Sequence, residues 1–513
     1  MNSQQDILSN AMLSPGFYPD PTNHVELIET HISQVFLTGQ YAYKIKKPVN
    51  FGFLDFTDLN KRKFYCEEEV RLNGRLAPDV YLDVIPITKS ENSITLNGDG
   101  TVIEYAVRMK QFDQQGLLSN LIKDNNLSID HIISLAKIIA EFHQNILKLD
   151  SYSHIGDADE ILKPVIHNFE ILNPIVDSQL LAKLNKIKDA SLALHKKLKP
   201  VFIKRKQDGF IRECHGDLHL GNITLINNKI VPFDGIEFND SFRWIDTMSD
   251  VAFLIMDLED HNKHEYAIEF LNRYLEITGD YQGLQVLRYY KIYRAMVRAK
   301  VTGLRLQQIP ANTEEYDKDI ECLNNYLDIA LQYCNTKKPS IIITHGISGS
   351  GKSWITQRLK NNINAIIIHS DNERKRLFSD YEMDLYSPST TDKVYSHLLD
   401  CTKFIIESGY NALVDATFLN ANYRQMFREM AEVTGAGFNI LNCKASEHML
   451  ESRILKRDKD KTSLSDADIN IMHKQIDSYK PLKENELAFS ITIDSRSLND
   501  IDSISRSLSC NTD

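Results

Sequence analysis

The sequence predicts a two-domain protein in which an α+β domain of two lobes precedes an α/β domain with a parallel sheet. Residues 24–110 are rich in strand patterns, and the chain then becomes mostly helical. The segment 335–339 is short, polar and ends in proline, which favours a boundary between domains. Beyond it, apolar runs and helical patterns alternate, as in parallel βαβ units. We therefore predict one domain at 1–334, with lobes at about 24–110 and 111–334, and a second at 340–513.

The first lobe is predicted to be a small sheet with one helix. Two strands, at residues 35–38 and 41–46, flank a Thr-Gly-Gln turn. An amphipathic helix is predicted at 58–76, and two further strands follow at 80–88 and 101–110. The helical second lobe is interrupted by loop and short-strand patterns at residues 214–238.

The second domain is predicted from its alternating segments. Strands are expected at 340–344, 365–369, 411–414 and 438–443, and helices at 352–361, 393–408 and 423–434. The apolar run at 488–493 indicates a last strand. The Ser-, Asn- and Asp-rich residues after that run are typical of a frayed terminus.

Charge and composition narrow the range of function classes. Of the 513 residues, 42% are hydrophobic and 25% are charged, as in an ordinary globular protein. The net charge of −11 argues against a general nucleic-acid binder. The seven cysteines are scattered and form no CxxC pair, which supports neither a disulfide framework nor a zinc site. The N-terminal residues lack the pattern of a secretory signal, and no apolar run approaches the ~20 residues of a membrane helix, so we expect a cytoplasmic protein without a membrane partner.

A first group of chemically significant residues lies in the interrupted part of the helical lobe. The chain reads His-Gly-Asp217-Leu-His-Leu-Gly-Asn222, followed by Val-Pro-Phe-Asp234-Gly. In kinase-type phosphoryl transfer one aspartate acts on the acceptor hydroxyl, and an asparagine and a second aspartate hold Mg²⁺. Asp217, Asn222 and Asp234 occur in that order. We expect His215 to brace this loop, and we assign His219 to loop packing or substrate contact without preference.

Such a site also needs a cation for the phosphates, held in place by a helical carboxylate. Lys44, in the second predicted strand, is the best lysine, and Glu69, in the predicted helix, is its best partner. Lys46 lies on the same side of the strand as Lys44, and Glu68 neighbours Glu69, so both remain alternatives.

This pattern resembles the aminoglycoside phosphotransferase and choline kinase superfamily over roughly residues 24–334. The resemblance implies a two-lobed protein-kinase-like fold with Asp217 as the catalytic aspartate and Asn222 and Asp234 as magnesium ligands. It places residues 107–111 in the hinge that receives adenine. The Gly-rich phosphate loop of such kinases is missing, because residues 36–39 contain a single glycine.

A second group of residues opens the second domain. A strand, the pattern G-x-x-x-x-G-K-S and a helix follow one another, which is the context of a P-loop. Its glycines let backbone N–H groups face a phosphate at a helix N-terminus. Lys352 would reach the β and γ phosphates, and the Ser353 hydroxyl would ligate Mg²⁺. The predicted nucleotide-binding residues are Gly346, Ser348, Gly349, Ser350, Gly351, Lys352 and Ser353.

Carboxylates follow the next two predicted strands at the edge where open α/β sheets bind ligands. Asp371 is predicted to take the proton of the acceptor, and Arg374 to bind an anionic substrate or the transferring phosphate. The alternative for Asp371 is an ordinary helix N-cap. Asp415, after the third strand, resembles the Walker B acid that holds Mg²⁺ through water.

Two arginines, Arg453 and Arg457, are spaced to share one helix face and are predicted to form a lid over the phosphates; a solvated basic face is the alternative. Together these motifs resemble the small P-loop kinases that include zeta-toxin-like and polynucleotide-kinase-like proteins, over roughly residues 340–494. A chain that joins an aminoglycoside phosphotransferase family domain to a P-loop kinase domain is itself similar to known bacterial fusions.

We therefore predict a bifunctional ATP-dependent phosphotransferase that uses ATP and Mg²⁺ to phosphorylate hydroxyl groups of small molecules. Two alternatives stay open. One domain would be a regulatory nucleotide-binding module, a pseudokinase, which the missing Gly-rich loop favours. In the other, the P-loop domain phosphorylates a nucleic-acid end or a nucleotide sugar, so nucleic acid stays open as a partner of that domain alone.

Overall fold

The structure is a computed structural model that describes residues 4–52, 54–91, 93–150, 152–335, 338–378, 387–460, 469–477, 479–494 and 501–510. For residues 4, 457–460, 470, 509 and 510 it describes the backbone alone. The chain divides into two compact units. The first comprises Met1–Ser134, Phe142–Lys163 and Phe202–Asp257, and the second comprises Leu135–Glu141, Pro164–Val201 and Leu258–Asp513. The second unit thus combines helices that precede the predicted linker with the strands that follow it, and the predicted domain boundary stays a prediction.

A six-stranded antiparallel sheet with the order β1-β2-β3-β6-β4-β5 lies in the first unit. Its strands are β1 (Glu26–Glu29), β2 (Ser33–Leu37), β3 (Tyr41–Lys46), β4 (Tyr81–Lys89), β5 (Ile94–Leu96) and β6 (Thr101–Lys110). The predicted strands are confirmed with small shifts at their ends, whereas β1 and β5 were not predicted. Side chains of β2 and β3 point alternately to the two faces of the hairpin, and both faces pack in apolar clusters: Phe36, Tyr43 and Ile45 in one, Leu37 and Ala42 in the other.

Two helices accompany this sheet, α1 (Gln4–Met12) and α2 (Leu59–Asn73). The predicted helix α2 is confirmed, and it begins at Leu59 because the Asp58 carboxylate accepts hydrogen bonds from the amides of Asn60 and Lys61 at 2.8 and 3.2 Å. The unpredicted α1 contributes Leu8 and Met12 to the apolar core around the β2–β3 hairpin.

The chain between this sheet and the predicted linker is mostly helical, as expected. Its helices are α3 (Leu118–Lys123), α4 (Ile129–Asn145), α5 (Ala158–Leu172), α6 (Ser178–Gln207), α7 (Asp240–Arg243), α8 (Thr247–Asp260), α9 (His264–Thr278), α10 (Leu284–Leu306) and α11 (Glu314–Cys334). The interruption predicted at 214–238 is confirmed: β7 (Ile211–Glu213) pairs with β10 (Trp244–Asp246), and β8 (Ile223–Ile226) pairs with β9 (Lys229–Pro232). Among the described helices, none is both long enough and apolar enough to cross a membrane.

A five-stranded parallel sheet with the order β12-β13-β11-β14-β15 lies in the second unit. Its strands are β11 (Ser340–His345), β12 (Ala365–His369), β13 (Asn411–Asp415), β14 (Gly437–Lys444) and β15 (Ser490–Asp494). The helices that follow β11 are α12 (Lys352–Leu359), α13 (Ser370–Leu377), α14 (Pro388–Glu407), α15 (Ala421–Thr434), α16 (Glu447–Asp460), α17 (Ile469–Asp477), α18 (Glu484–Leu487) and α19 (Ile501–Cys510). β11 and β12 are buried along their whole length, which explains why they read as unbroken apolar runs.

The frayed terminus expected after the last strand is wrong for residues 501–510, which form α19. Ile501, Ile504 and Leu508 recur at helical spacing and pack against the core that contains Ile355 and Leu359 of α12. The remaining positions are four serines, Asp502, Arg506 and Cys510, so the polar composition concealed a helix with an apolar face.

Candidate functional site

The loop that carries Asp217 is held by acidic side chains of α8. Asp250 accepts hydrogen bonds from the amides of His215 and Gly216 at 2.8 and 2.9 Å. Asp257, about two turns later, accepts from the Leu220 amide at 2.8 Å. Gly216 has φ +85°, a conformation that favours glycine. The loop is therefore fixed by backbone contacts, which leaves its polar side chains for chemistry.

Asp217 and Asn222 are in direct contact in this loop. The Asn222 amide nitrogen donates to the Asp217 carboxylate at 2.9 Å and to the Asp217 carbonyl at 3.1 Å. With its nitrogen oriented in this way, the amide oxygen of Asn222 is the atom that could ligate a cation. His219 Nε2 lies 3.4 Å from the same carboxylate, and its ring packs against Phe253 at a centroid distance of 5.3 Å.

The placement of His215 agrees with the predicted bracing role. Its Nε2 donates to the Phe233 carbonyl at 2.9 Å, and its Nδ1 accepts from the Asp217 amide at 3.3 Å. Burial lowers the pKa of His215, an effect that the nearby Asp250 and Asp217 only partly oppose. A neutral imidazole with its proton on Nε2 satisfies both contacts.

Asp234 stands directly after β9 with a left-handed backbone, at φ +59°. Its amide donates to the Tyr81 hydroxyl at 3.1 Å, and the following Gly235 amide donates to Asn73 Oδ1 at 2.7 Å. This conformation is costly for a residue other than glycine, and the surrounding contacts hold it. The Asp234 side chain is 42% exposed, so a ligand could reach its carboxylate.

The structure brings Lys44, Glu69 and Asp234 together. Lys44 Nζ lies 2.7 Å from Asp234 Oδ1 and 2.8 Å from Glu69 Oε1. Lys46, the alternative lysine, is fully buried and bridges Glu69 at 2.7 Å to Glu237. Lys46 thus bonds to two buried carboxylates, whereas Lys44 reaches the exposed Asp234, and this placement favours Lys44 as the phosphate-facing cation.

Glu69 is also favoured over its neighbour Glu68. Glu69 is buried between both lysines, whereas Glu68 pairs with Arg71 at 2.7 Å. Burial alone would raise the pKa of Glu69, but Lys44 and Lys46 lower it further than burial raises it. For Lys44, burial favours the neutral amine, yet Asp234 and Glu69 raise its pKa. The pair is therefore charged at neutral pH.

The hairpin that takes the place of a Gly-rich loop is a tight turn. Thr38 and Tyr41 close it with a backbone hydrogen bond of 2.9 Å, and Gly39 has φ +96°. The Gly39 amide donates to the side chain of Gln111 at 2.8 Å. This turn contains a single glycine and differs from a Gly-rich loop.

In the second unit, the predicted P-loop turns between β11 and α12 with three glycines at positive φ. Gly346, Gly349 and Gly351 have φ values of +149°, +86° and +97°. A Cβ on Gly346 would lie 2.5 Å from the Cys443 carbonyl oxygen, so only glycine fits there. Gly351 is the N-cap of α12, and the helix N-terminus opens directly at Lys352 and Ser353.

The other P-loop residues fit a phosphate ligand. Ser350 Oγ is buried and has no hydrogen-bond partner within the described residues, as expected of a group that awaits an acceptor. The Ser348 amide donates to Gln475 Oε1 of α17 at 2.9 Å. Ser353 is exposed at the start of α12. A hydrogen bond with its hydroxyl helps to lower the pKa of Asp415.

Lys352 lies buried within the P-loop. It is only 9% exposed, and its Nζ donates to the Ile347 carbonyl at 3.0 Å. The ammonium group folds back over the loop because that carbonyl offers a partner in a site shielded from water. Lys360, two turns later, pairs instead with Glu269 at 2.7 Å.

Asp415 lies at the end of β13, beside His369 at the end of β12. His369 Nδ1 is 2.9 Å from Asp415 Oδ2. Burial raises the pKa of Asp415, but the hydrogen bond from His369 and the charges of His369 and Lys352 lower it further. Asp415 is therefore an ionised, buried carboxylate beside the P-loop, which is the donor type that Mg²⁺ prefers.

Asp371 and Arg374 both lie on α13, directly after β12. The N-cap of α13 is His369, so the alternative of Asp371 as an N-cap is wrong; Asp371 stands within the first turn. Arg374 is buried, at 7% exposure, and its charge lies near Tyr395. The Tyr395 hydroxyl accepts from the Phe418 amide at 3.1 Å.

The predicted lid is described in part. Arg453 Nη1 donates to the Gly349 carbonyl at 3.2 Å, so this arginine does reach the P-loop. The side chain of Arg457 lies outside the described residues. Leu450 and Ile454 of α16 form an apolar cluster with Met472 of α17, against which Ile347 of the P-loop packs.

Sequence reasoning missed Arg424, which supports the loop after Asp415. Its guanidinium is buried, pairs with Glu486 at 2.6 Å, and donates to the carbonyls of Phe418 and Leu419 at 2.8 and 3.1 Å. Phe418 has φ +46°, which is strained for a bulky residue. Thr417, just before it, accepts the Gly346 amide at 3.1 Å, so this strained loop shapes the start of the P-loop.

We expect Arg424→Met to destabilise the second unit by about 3–5 kcal/mol, because it leaves Glu486 and two carbonyls without their buried partner. The free energy of unfolding is measured by urea unfolding followed by Trp354 fluorescence. The other tryptophan is removed by Trp244→Phe, so that the signal comes from Trp354 alone. The control is Arg428→Met, which removes a surface pair with Glu432 and should cost about 1 kcal/mol or less. Equal unfolding midpoints for the two variants would contradict the supporting role of Arg424.

Comparison with known proteins places these features in context. Residues 341–482 match the sequence profile of a family described as AAA domain. An uncharacterized protein of Mycobacterium tuberculosis (strain ATCC 25618 / H37Rv) is 26% identical over 449 residues, which cover 84% of this chain and 86% of the relative. A counterpart in Mycobacterium bovis has the same identity and coverage.

Two solved kinases are similar in structure. An amicoumacin kinase, solved with AMP-PNP, Ca²⁺ and amicoumacin, aligns with a TM-score of 0.40 and 13% identity over 64% of this chain and 94% of the kinase. The APS kinase of M. tuberculosis, solved with AMPPNP and APS, aligns with a TM-score of 0.26 and 19% identity over 34% of this chain and 97% of its own. The fold class predicted from the sequence is confirmed: the chain joins an N-terminal kinase-like fold to a C-terminal P-loop fold with a parallel sheet.

Proposed function

We propose that the chain is a bifunctional ATP-dependent phosphotransferase with two heads, each of which phosphorylates a hydroxyl group of a small molecule. The kinase-like head uses Asp217, Asn222, Asp234, Lys44 and Glu69. The P-loop head uses residues 346–353, Asp371, Arg374, Asp415, Arg453 and Arg457. The observation that carries the proposal is the meeting of Lys44 with both Glu69 and Asp234, because it joins the candidate phosphate-binding lysine to its expected partner and to a candidate magnesium ligand.

In the kinase-like head, Asp217 would accept the proton of the acceptor hydroxyl as the new bond to phosphorus forms. Asn222 orients that carboxylate, at 2.9 Å. Lys44 would bind the phosphates of ATP, and Glu69 keeps it charged and in place. The oxygens of Asn222 and Asp234 suit Mg²⁺ and would hold it, and the ion would supply positive charge to offset that of the phosphates.

In the P-loop head, the amides at the start of α12 and the Lys352 ammonium would hold the phosphates. Ser353 and Asp415 offer the hydroxyl and carboxylate oxygens that suit Mg²⁺. Asp371 would take the acceptor proton, and Arg374 would bind an anionic group of the acceptor or the transferring phosphoryl. Arg453 and Arg457 would close over the phosphates.

A phosphorylation screen tests the proposal. The full chain is incubated with γ-labelled ATP and a small-metabolite pool, beside Asp217→Asn, Lys352→Ala and the double variant. Each single variant is expected to lose a different set of labelled products, and the double variant to lose both. If one variant behaves as wild type while the other removes all products, a single head is catalytic and the other serves as a regulatory module. Label on nucleic-acid ends alone would contradict the small-molecule acceptor.

We further expect Asn222→Ala and Asp234→Ala to reduce the Mg²⁺ dependence of ATP binding by the kinase-like head. The reason is that each removes an oxygen suited to the ion. Binding of ATP with and without Mg²⁺ is measured on the full chain carrying Lys352→Ala, so that the P-loop head contributes little. Asn60→Ala, at an exposed position of α2, is the matched control. An unchanged Mg²⁺ dependence in both variants would point to a degenerate pseudokinase head.

A further inference from the structure

Helix α9 precedes the predicted linker, yet it covers the edge of the parallel sheet in the second unit. Asn272 Nδ2 donates to the Ala365 carbonyl of β12 at 3.0 Å, and Asn272 Oδ1 accepts from the Ile367 amide at 2.7 Å. One side chain thus pairs with the backbone of the edge strand as a neighbouring strand would. An open edge strand otherwise presents unpaired backbone groups, so Asn272 satisfies a real requirement of the fold.

Two acidic residues lie on the same face of α9 as Asn272. Glu269, Asn272 and Glu276 are spaced at i, i+3 and i+7, which aligns them along one side of a helix. Glu269 pairs with Lys360 at the end of α12, at 2.7 Å, with both side chains largely buried. Glu276 Oε1 accepts from Asn372 Nδ2 of α13 at 2.8 Å. This stripe therefore touches three consecutive elements, α12, β12 and α13.

The C-terminal end of α9 is capped by α13. Arg376 donates to the carbonyls of Glu276 and Ile277 at 2.6 and 3.1 Å, which places a cation at the negative end of the helix. Gly279 ends α9 with φ +71°, and a Cβ there would lie 2.7 Å from Arg376 Nε. Glycine at this position therefore serves both the left-handed turn and the close approach of Arg376.

We propose that Glu276 is a positioning residue for the P-loop head, because it fixes the orientation of α13 and thereby of Asp371 and Arg374. This inference rests on the proposed function of that head. α13 has eight residues, too few for a helix to be stable alone, so its orientation comes from its contacts. On one side these are Glu276 and the end of α9. On the other side Glu373 pairs with His397 of α14 at 3.0 Å. Asn372, the residue that Glu276 binds, stands directly beside Asp371.

The test uses the full chain carrying Asp217→Asn, so that transfer reports on the P-loop head. Glu276→Ala removes the acceptor of Asn372, whereas Glu276→Gln retains an oxygen at that place. Glu276 Oε2 also pairs with Arg273 at 2.6 Å, so Arg273→Ala is the matched control that removes this pair alone. Three quantities are measured: hydrogen exchange of the amides at 370–377, affinity for MgATP taken from the ATP dependence of transfer, and transfer of label from γ-labelled ATP to a small-metabolite pool.

For Glu276→Ala we expect exchange in α13 to rise about tenfold or more. Transfer is expected to fall about tenfold to a hundredfold while MgATP affinity is retained, because a small misplacement of the acceptor residues is sufficient to slow transfer. Glu276→Gln and Arg273→Ala should match the Asp217→Asn parent in hydrogen exchange, MgATP affinity and transfer. Rescue by glutamine separates a positioning role from a general loss of stability.

Two outcomes would overturn the inference: unchanged exchange in α13 for Glu276→Ala, or faster exchange with undiminished transfer. If the parent chain transfers no label at all, the proposed function of the P-loop head fails. In that case the exchange data still decide whether Glu276 holds α13, so the two failures are distinguishable.

Discussion

Asp217→Asn is expected to lower phosphoryl transfer by the kinase-like head by about 10²–10⁴-fold, the usual effect of removing a general base. The amide cannot accept the proton of the acceptor hydroxyl. Its oxygen can still accept the hydrogen bond that Asn222 donates at 2.9 Å, so the loop should keep its shape. ATP binding should be nearly intact, because in the proposed function Lys44 and Asp234, and not Asp217, would face the nucleotide.

The measurement is transfer with an acceptor of this head, on the full chain carrying Lys352→Ala. Asp130→Asn, at an exposed position in the first turn of α4, controls for the loss of one negative charge. Thermal unfolding of the variant and its parent should coincide. Wild-type turnover in a folded Asp217→Asn protein would remove this residue from the mechanism.

Lys352→Ala is expected to abolish turnover by the P-loop head. An in-site cation that follows the transferring phosphoryl is comparable to other preorganised donors, whose loss costs ~3–4 kcal/mol of transition-state stabilisation. Lys360, the next lysine along the chain, is held by Glu269 and cannot replace it. Arg453 is bonded to the Gly349 carbonyl, so we do not expect it to replace the lysine either.

The variant should fold, although Lys352 is buried. Its Nζ bonds to one carbonyl, that of Ile347, in a loop whose glycine turns and contact with Thr417 do not involve the lysine. Turnover is measured on the full chain carrying Asp217→Asn, with thermal unfolding as the folding control. Lys393→Ala, at an exposed site on α14, should retain wild-type turnover. Full activity of a folded Lys352→Ala protein would end the P-loop assignment.

Features that depend on short stretches of sequence were predictable. β11 and β12 are buried along their whole length, so each reads as an unbroken apolar run. Asp217 and Asn222 are five residues apart and bond to each other, so their spacing alone carried the information. The P-loop glycines are required by their positive φ angles and by the close approach of Gly346 to the Cys443 carbonyl, and both requirements appear in the sequence as glycine.

Features that depend on distant contacts were not predictable. Nothing near Lys44 or Lys46 distinguishes them; the difference arises from Asp234 and Glu237, about 190 residues later. No local pattern distinguishes Arg424 from other arginines, because its partner Glu486 lies 62 residues later in the sequence. α19 was not predicted because its few apolar residues are stabilised by packing against α12, which is distant in sequence. Asn272 likewise has no local signature as the partner of a strand edge.

The order of strands in the parallel sheet has a consequence for folding kinetics. β11 comes first along the chain but lies at the centre of its sheet, between β13 and β14. Thr344 bonds to Ala416 across 72 residues, and His345 bonds to Asn442 across 97. Such non-local pairing is slow, because the chain loses entropy before the contacts stabilise it. The phosphate cradle is therefore among the last features to form. A nucleotide that recognises only the completed cradle would slow unfolding of the second unit without accelerating its folding.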